Sequence, residues 1–172
     1  MDANHPLPRR WLMTDERLGD GLLDAVARLP EGTGVVFRHY SLAESARRAL
    51  FDRVRGAHDG LLLLAGVAGQ AEVWGADGSH GPGRGRGLRS APAHNFRELR
   101  AAERARAALL FLSPVFATRS HPDSVPLGLA RFAWLARRTA LPVIALGGMN
   151  EPRGKKLASF GAYGWAGIDV FS

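Results

Sequence analysis

Gly60-Leu61-Leu62-Leu63-Leu64-Ala65 is apolar from end to end. A strand with one wet face alternates apolar and polar side chains. An uninterrupted apolar run belongs in a parallel sheet that is covered on both faces. Working outward from it, short strand-like segments recur at 11–14, 34–38, 78–80, 88–91, 108–113, 142–146 and 163–168. Amphipathic helical stretches separate most of them. One covers 21–29 and stops at Pro30; the next runs through Val54, opened by a capping box of Ser41 with Glu44. A short helix follows at about 68–74, Asn95 and Glu98 cap another, and two more cover 128–139 and 151–160. Regular alternation of strand and helix implies right-handed crossovers and a parallel sheet. Eight strands make that sheet a (β/α)8 TIM barrel of the α/β class.

The barrel is expected to be trimmed. Such barrels take about 200 residues or more, and the chain has 172. The segment Gly81-Pro82-Gly83-Arg84-Gly85-Arg86-Gly87 is too rich in Gly and Pro for a regular element, so a loop replaces the fourth helix. No residues remain for an eighth helix. The reading is one domain over 1–172, and a second copy in a homodimer is the expected cover for the trimmed flank.

Composition narrows the chemistry. With 46% hydrophobic residues the chain can bury a core, and with no cysteine it can use neither disulfides nor thiolates. The first ten residues contain no apolar core of a secretory signal, and the longest apolar run is far too short to span a bilayer. A cytoplasmic location without membrane contact is the expectation. The net charge of +7 sits mostly on arginines along helical faces, among them Arg47, Arg48, Arg97, Arg100, Arg104, Arg106, Arg137 and Arg138. No nucleic-acid-binding motif accompanies them, so they read as a solvated surface whose field favours a phosphorylated small-molecule ligand.

In such barrels the active site lies at the C-terminal ends of the strands. The loop 114–126 brings Thr118, Arg119, Ser120 and His121 to one of these ends, a set of hydroxyls and charge suited to phosphate oxygens. Gly147-Gly148 directly follows the seventh strand, where backbone N–H groups and a helix N-terminus can meet an anion. Arg38 ends the second strand. Histidines at or near strand ends are His39, His80, His94 and His121. Their spacing does not define a metal site, so none is expected, and His121 or His94 is the candidate general acid or base.

The segments ADGSH (76–80), AHN with Glu98-Leu99 (93–99), SPVFATRSHPDSVPLGL (113–129), ALGGM (145–149) and GAYGWAGI (161–168) resemble the thiamine phosphate synthase family. Its superfamily also holds thiazole tautomerases and synthase-like domains fused to Nudix hydrolases. The resemblance implies a (β/α)8 barrel that joins a hydroxymethylpyrimidine diphosphate to a thiazole phosphate, expelling pyrophosphate with Mg2+ assisting. It assigns phosphate contacts to Thr118 and Ser120, the thiazole phosphate to Gly147 and Gly148, and the strand-two arginine to Arg38.

Several positions depart from that pattern. Tyr40 replaces a lysine, Ala65-Gly66 replaces the Asn-Asp pair that supplies a magnesium ligand, and 81–87 lacks the second magnesium aspartate. Pro92 stands for a serine, His121 for the loop lysine, and Asp169 for a serine beside the substrate. Mg2+ is therefore expected only if the synthase reaction is retained, with Arg84, Arg86 and Arg89 as another source of positive charge. The alternatives are a metal-independent thiazole-phosphate isomerase and a non-catalytic phosphate-ligand sensor. The tautomerase histidine precedes the Val-Phe pair, where this chain has Pro114.

Overall fold

A computed structural model describes residues 7–83, 85–118 and 124–168. Eight parallel strands close into one barrel in sequence order: β1 (Arg10–Met13), β2 (Thr33–Phe37), β3 (Leu62–Ala65), β4 (Gly78–His80), β5 (Leu88–Ala93), β6 (Leu109–Leu112), β7 (Val143–Leu146) and β8 (Gly164–Gly167). The helices are α1 (Leu22–Ala27), α2 (Glu44–Ala57), α3 (Ala68–Trp74), α4 (Phe96–Arg104), α5 (Gly128–Ala136) and α6 (Glu151–Ala158), with a 3-10 segment at Glu16–Gly21. No helix is long and apolar enough to cross a membrane among the described residues.

The apolar strands are apolar because each face meets a different core. Trp11, Met13, Val36, Leu63, Ala65, Leu109, Phe111, Ile144 and Ala166 point into the barrel, whereas Leu62, Leu64, Val35 and Phe37 face α1 and α2. Leu110 and Leu112 face α4 to α6. Trp11 and Phe111 meet edge-on inside the barrel at 5.6 Å. Gly34 makes room for Trp11, since a Cβ there would lie 2.5 Å from the indole.

The loop between β4 and β5 carries no helix among its described residues, as expected, and it leans on α3. A Cβ on Gly85 would sit 2.7 Å from the Ala68 Cβ. The described chain ends just after β8, so the expected absence of an eighth helix falls outside it.

Two local expectations need correction. Ser41 does not cap α2, which begins at Glu44 behind an Ala43 N-cap with no side-chain bond. Instead, the Ser41 hydroxyl donates to Glu16 Oε1 at 3.1 Å. The carboxylate on the neighbouring 3-10 segment supplies an acceptor that a helix N–H cannot, so the hydroxyl goes there. Arg89 is expected, with the loop arginines, to supply charge to the ligand. It lies near the start of β5, away from the strand C-termini, and donates to Ala105 and Arg106 carbonyls beyond α4. Arg86 is almost wholly in solvent, 3.5 Å from Glu72, and Arg84 lies outside the described residues.

Candidate functional site

The strand C-termini surround a cavity of about 530 Å³, lined from β1, β2 and β5 to β8 and their following loops. Arg17, Arg38, His94, Thr118, Gly147, Gly148, Asn150 and Arg153 supply its polar wall.

The β1–β2 side is built on Thr14 and Asp15. The Arg38 backbone N–H donates to Thr14 Oγ1 at 3.0 Å, and its Nε donates to the Thr14 carbonyl at 2.7 Å. Its Nη2 then reaches Asp15 Oδ2 at 2.7 Å, while Arg17 Nε reaches the other carboxylate oxygen at 2.7 Å. One carboxylate thus aims two guanidinium groups into the mouth. Burial lowers the Arg38 pKa from its ordinary value and Asp15 opposes the drop. Burial pushes the Asp15 carboxyl upward, but hydrogen bonds from Arg17 and the charge of Arg38 outweigh it, so the net shift is down. Among the described residues the mouth carries net positive charge.

The β6–β7 side is a backbone cup. Gly147 and Gly148 both have positive φ, 98° and 61°, a conformation that glycine adopts without strain. A Cβ on Gly148 would lie 2.5 Å from the Ala117 carbonyl oxygen. The β6 loop is laced to this turn by Val115 N–H to the Leu146 carbonyl (2.8 Å) and Phe116 N–H to the Gly147 carbonyl (3.1 Å). That lacing places Thr118 beside the cup. Asn150 caps α6 by accepting the Arg153 N–H at 3.0 Å. Arg153 folds back over the cup, donating to the Gly148 carbonyl and stacking 4.5 Å above the Phe116 ring.

His94 stands on the β5 side of the mouth, about half exposed, with Nδ1 2.7 Å from Glu98 Oε2. The same carboxylate oxygen accepts the His94 backbone N–H, and Asn95 caps α4 through Glu98 N–H. Burial raises the Glu98 pKa, but the His94 hydrogen bonds outweigh it and the carboxyl is held below its usual range. Replacing Asn95 by Ala should cost about 1 kcal/mol in chemical denaturation, the usual loss for an N-cap. Because Asn95 also donates to Glu98 Oε1, the variant should loosen His94 as well.

The expected residues divide clearly. Arg38, His94, Thr118, Gly147 and Gly148 line one cavity. Arg119, Ser120, His121 and Asp169 lie outside the described residues. Of the other strand-end histidines, His39 is buried with Nδ1 3.0 Å from Thr14 Oγ1 and its ring stacked on Phe37, and His80 is buried inside the barrel against Phe111 and Ser90. Arg17, Asn150 and Arg153 were not anticipated. For the last two a signal was available: the turn after Gly147-Gly148 continues into an Asn-capped helix, and Arg153 is three residues beyond the cap.

The family profile described as thiamine monophosphate synthase matches residues 90–171. A protein of Aquifex aeolicus (strain VF5), provisionally named thiamine-phosphate synthase 2, is 30% identical over 182 residues, spanning 96% of this chain and 98% of its own. The chain belongs to the thiamine-phosphate synthase family. The thiamine-phosphate synthase of Chloroflexus aurantiacus is 34% identical over 87 residues, covering 50% of this chain and 40% of that protein. The fold agrees with the structure of thiamine phosphate pyrophosphorylase from Pyrococcus furiosus: TM-score 0.77 and 21% identity over 94% of this chain and 85% of the other. The barrel is thus a thiamine-biosynthesis, synthase-like one.

The family's magnesium ion can be tested against these residues. Mg2+ binds through carboxylates, water and substrate phosphate. The strand ends where the ligands are expected carry Ala65-Gly66 and Gly81-Pro82-Gly83, and the cavity lining holds no carboxylate among the described residues. No group of three or more Asp, Glu or His able to hold a metal occurs among them either. The described residues do not fit the ion.

Proposed function

We propose that the cavity binds a phosphorylated thiazole and a hydroxymethylpyrimidine diphosphate and joins them into thiamine phosphate, a transferase reaction. The observation that carries this reading is the two-sided mouth. A glycine cup with Thr118 and Arg153 faces a pair of arginines aimed by Asp15, in a chain of this family. A phosphate monoester seats on the cup, where left-handed glycines let an anion approach backbone N–H groups. The diphosphate lies toward Arg38 and Arg17. The thiazole nitrogen attacks the pyrimidine methylene carbon, a C–N bond forms, and the C–O bond breaks with its electron pair leaving on pyrophosphate. Guanidinium groups stabilise that departing charge through charge-assisted hydrogen bonds.

A second reading follows from His94. Its pairing with Glu98 at the mouth equips it to carry a proton, which suits isomerisation of a thiazole phosphate and is not needed for the coupling. Mixing the protein with both substrates and following pyrophosphate separates the two. Stoichiometric pyrophosphate with thiamine phosphate is the expected result. Rearrangement of the thiazole without pyrophosphate would transfer the assignment to the isomerase, and ligand binding with no product at high enzyme concentration would leave only a sensor.

A further inference from the structure

The mouth is lopsided, and the closed part is the quarter of the ring, β3 and β4, where the family's ion is expected. Among the described residues, none of β3, β4 or their following loops lines the cavity. Gly66 has φ 129° and donates its N–H to the His80 carbonyl at 3.0 Å. Gly81 has φ 140° and donates to the Ser90 carbonyl at 3.0 Å, and a Cβ on it would lie 2.9 Å from the Gly66 carbonyl oxygen. The ends of β3, β4 and β5 are therefore zipped backbone to backbone. At both glycine positions a side chain would be strained, so an aspartate cannot stand there at no cost.

A cation of the protein's own sits over this seal. Arg47 of α2 is 8% exposed. Its Nη2 donates to the Ala65 carbonyl at 2.7 Å, its Nε to the Arg38 carbonyl at 2.8 Å, and its Nη1 to Gln70 Oε1 at 3.3 Å. The rings of Tyr40, Trp74 and Phe37 lie 5.3, 5.4 and 5.8 Å from its guanidinium carbon. The strand-end carbonyls that a hard cation would seek are already held by a fixed positive charge, which would also repel a dication. Across the cavity, Arg17, Arg38 and Arg153 provide cationic side chains from three different elements.

We infer that this pocket holds phosphate and diphosphate groups directly on arginine charge, with no divalent cation between ligand and protein. Arg47 closes the strand-three end in place of the ion, and Arg17, Arg38 and Arg153 supply the charge the ion would bring. The inference rests on the phosphate-pocket reading above but not on the coupling reaction.

Calorimetric titration of inorganic pyrophosphate into the full chain tests it, first in EDTA and then in excess Mg2+. The expected result is saturable binding in EDTA that Mg2+ leaves equal or weaker, because Mg2+ competes for pyrophosphate in solution. Arg38→Met should weaken the EDTA binding tenfold or more. Binding that appears only with Mg2+, or tightens tenfold or more with it, overturns the inference, as does no binding in either buffer. Coupling that fails while pyrophosphate still binds in EDTA rejects the synthase reading alone. Coupling that strictly requires Mg2+ rejects this inference and keeps that reading.

Discussion

Acidification from pH 7 to 4 should remove on the order of 3 kcal/mol of folding stability through His80 alone. The ring lies at the end of β4, buried in the barrel with Nδ1 2.9 Å from Ser90 Oγ and its edge against Phe111. Burial, together with the charge of Arg38, pushes its pKa down to about 4. An unfolded chain protonates the same ring near pH 6.5. Between those two values the unfolded state binds more protons than the native one, so stability falls as pH falls through the window and is complete above it. His39 and His58 are shifted in the same direction, chiefly by burial, and deepen the slope. Urea denaturation at several pH values, for the natural chain and for His80→Gln, measures the effect. The variant should start less stable and lose less on acidification. Parallel curves would mean that the His80 ring is reached by water in the native state.

How much of this was legible beforehand depends on what each residue answers to. Leu62 to Ala65 and Leu109 to Leu112 are apolar because both faces of the barrel wall are buried, and that demand is written in every position of the run. Those runs, and the shorter and more polar strands β4 and β5 spaced among helices, carry the topology. The Asn95 cap was legible for the same reason, since the motif and its partner are three residues apart. Ser41 gives no such signal, because its partner, Glu16, is distant in sequence and becomes a neighbour only when β1 and β2 pair.

The site follows the same division. Gly147-Gly148 and Arg38 announce themselves by position at strand ends. Arg47 looks like one more arginine on a solvated helix, and only barrel closure brings it onto the carbonyls of Arg38 and Ala65. Arg17 owes its place to Asp15, whose second oxygen is already committed to Arg38. Charges that act through a closed ring of strands have no local signature, whereas glycines that need a particular backbone conformation do.

The clearest case is Arg38, whose replacement by Met should weaken binding of pyrophosphate roughly 10- to 100-fold. A hydrogen bond to a charged group contributes about 1.5–3 kcal/mol, which corresponds to that range. The side chain is 18% exposed and tied by Nε to Thr14 and by Nη2 to Asp15, so the guanidinium is held in place before a ligand arrives. Little side-chain entropy then remains to be lost on binding. Methionine fills similar volume but leaves Asp15 with Arg17 as its ion-pair partner, so the mouth loses a positive charge while its walls stay in place. Arg38→Lys restores charge without the planar fork and should recover only part of the affinity. Titration of the three proteins in EDTA, alongside their melting temperatures, separates the roles. A ligand-binding Arg38 gives an affinity order of Arg, Lys, Met that outruns any change in stability. If Arg38→Met melts earlier yet binds pyrophosphate as tightly as the natural chain, Arg38 only braces Asp15, and the diphosphate must seat elsewhere in the cavity.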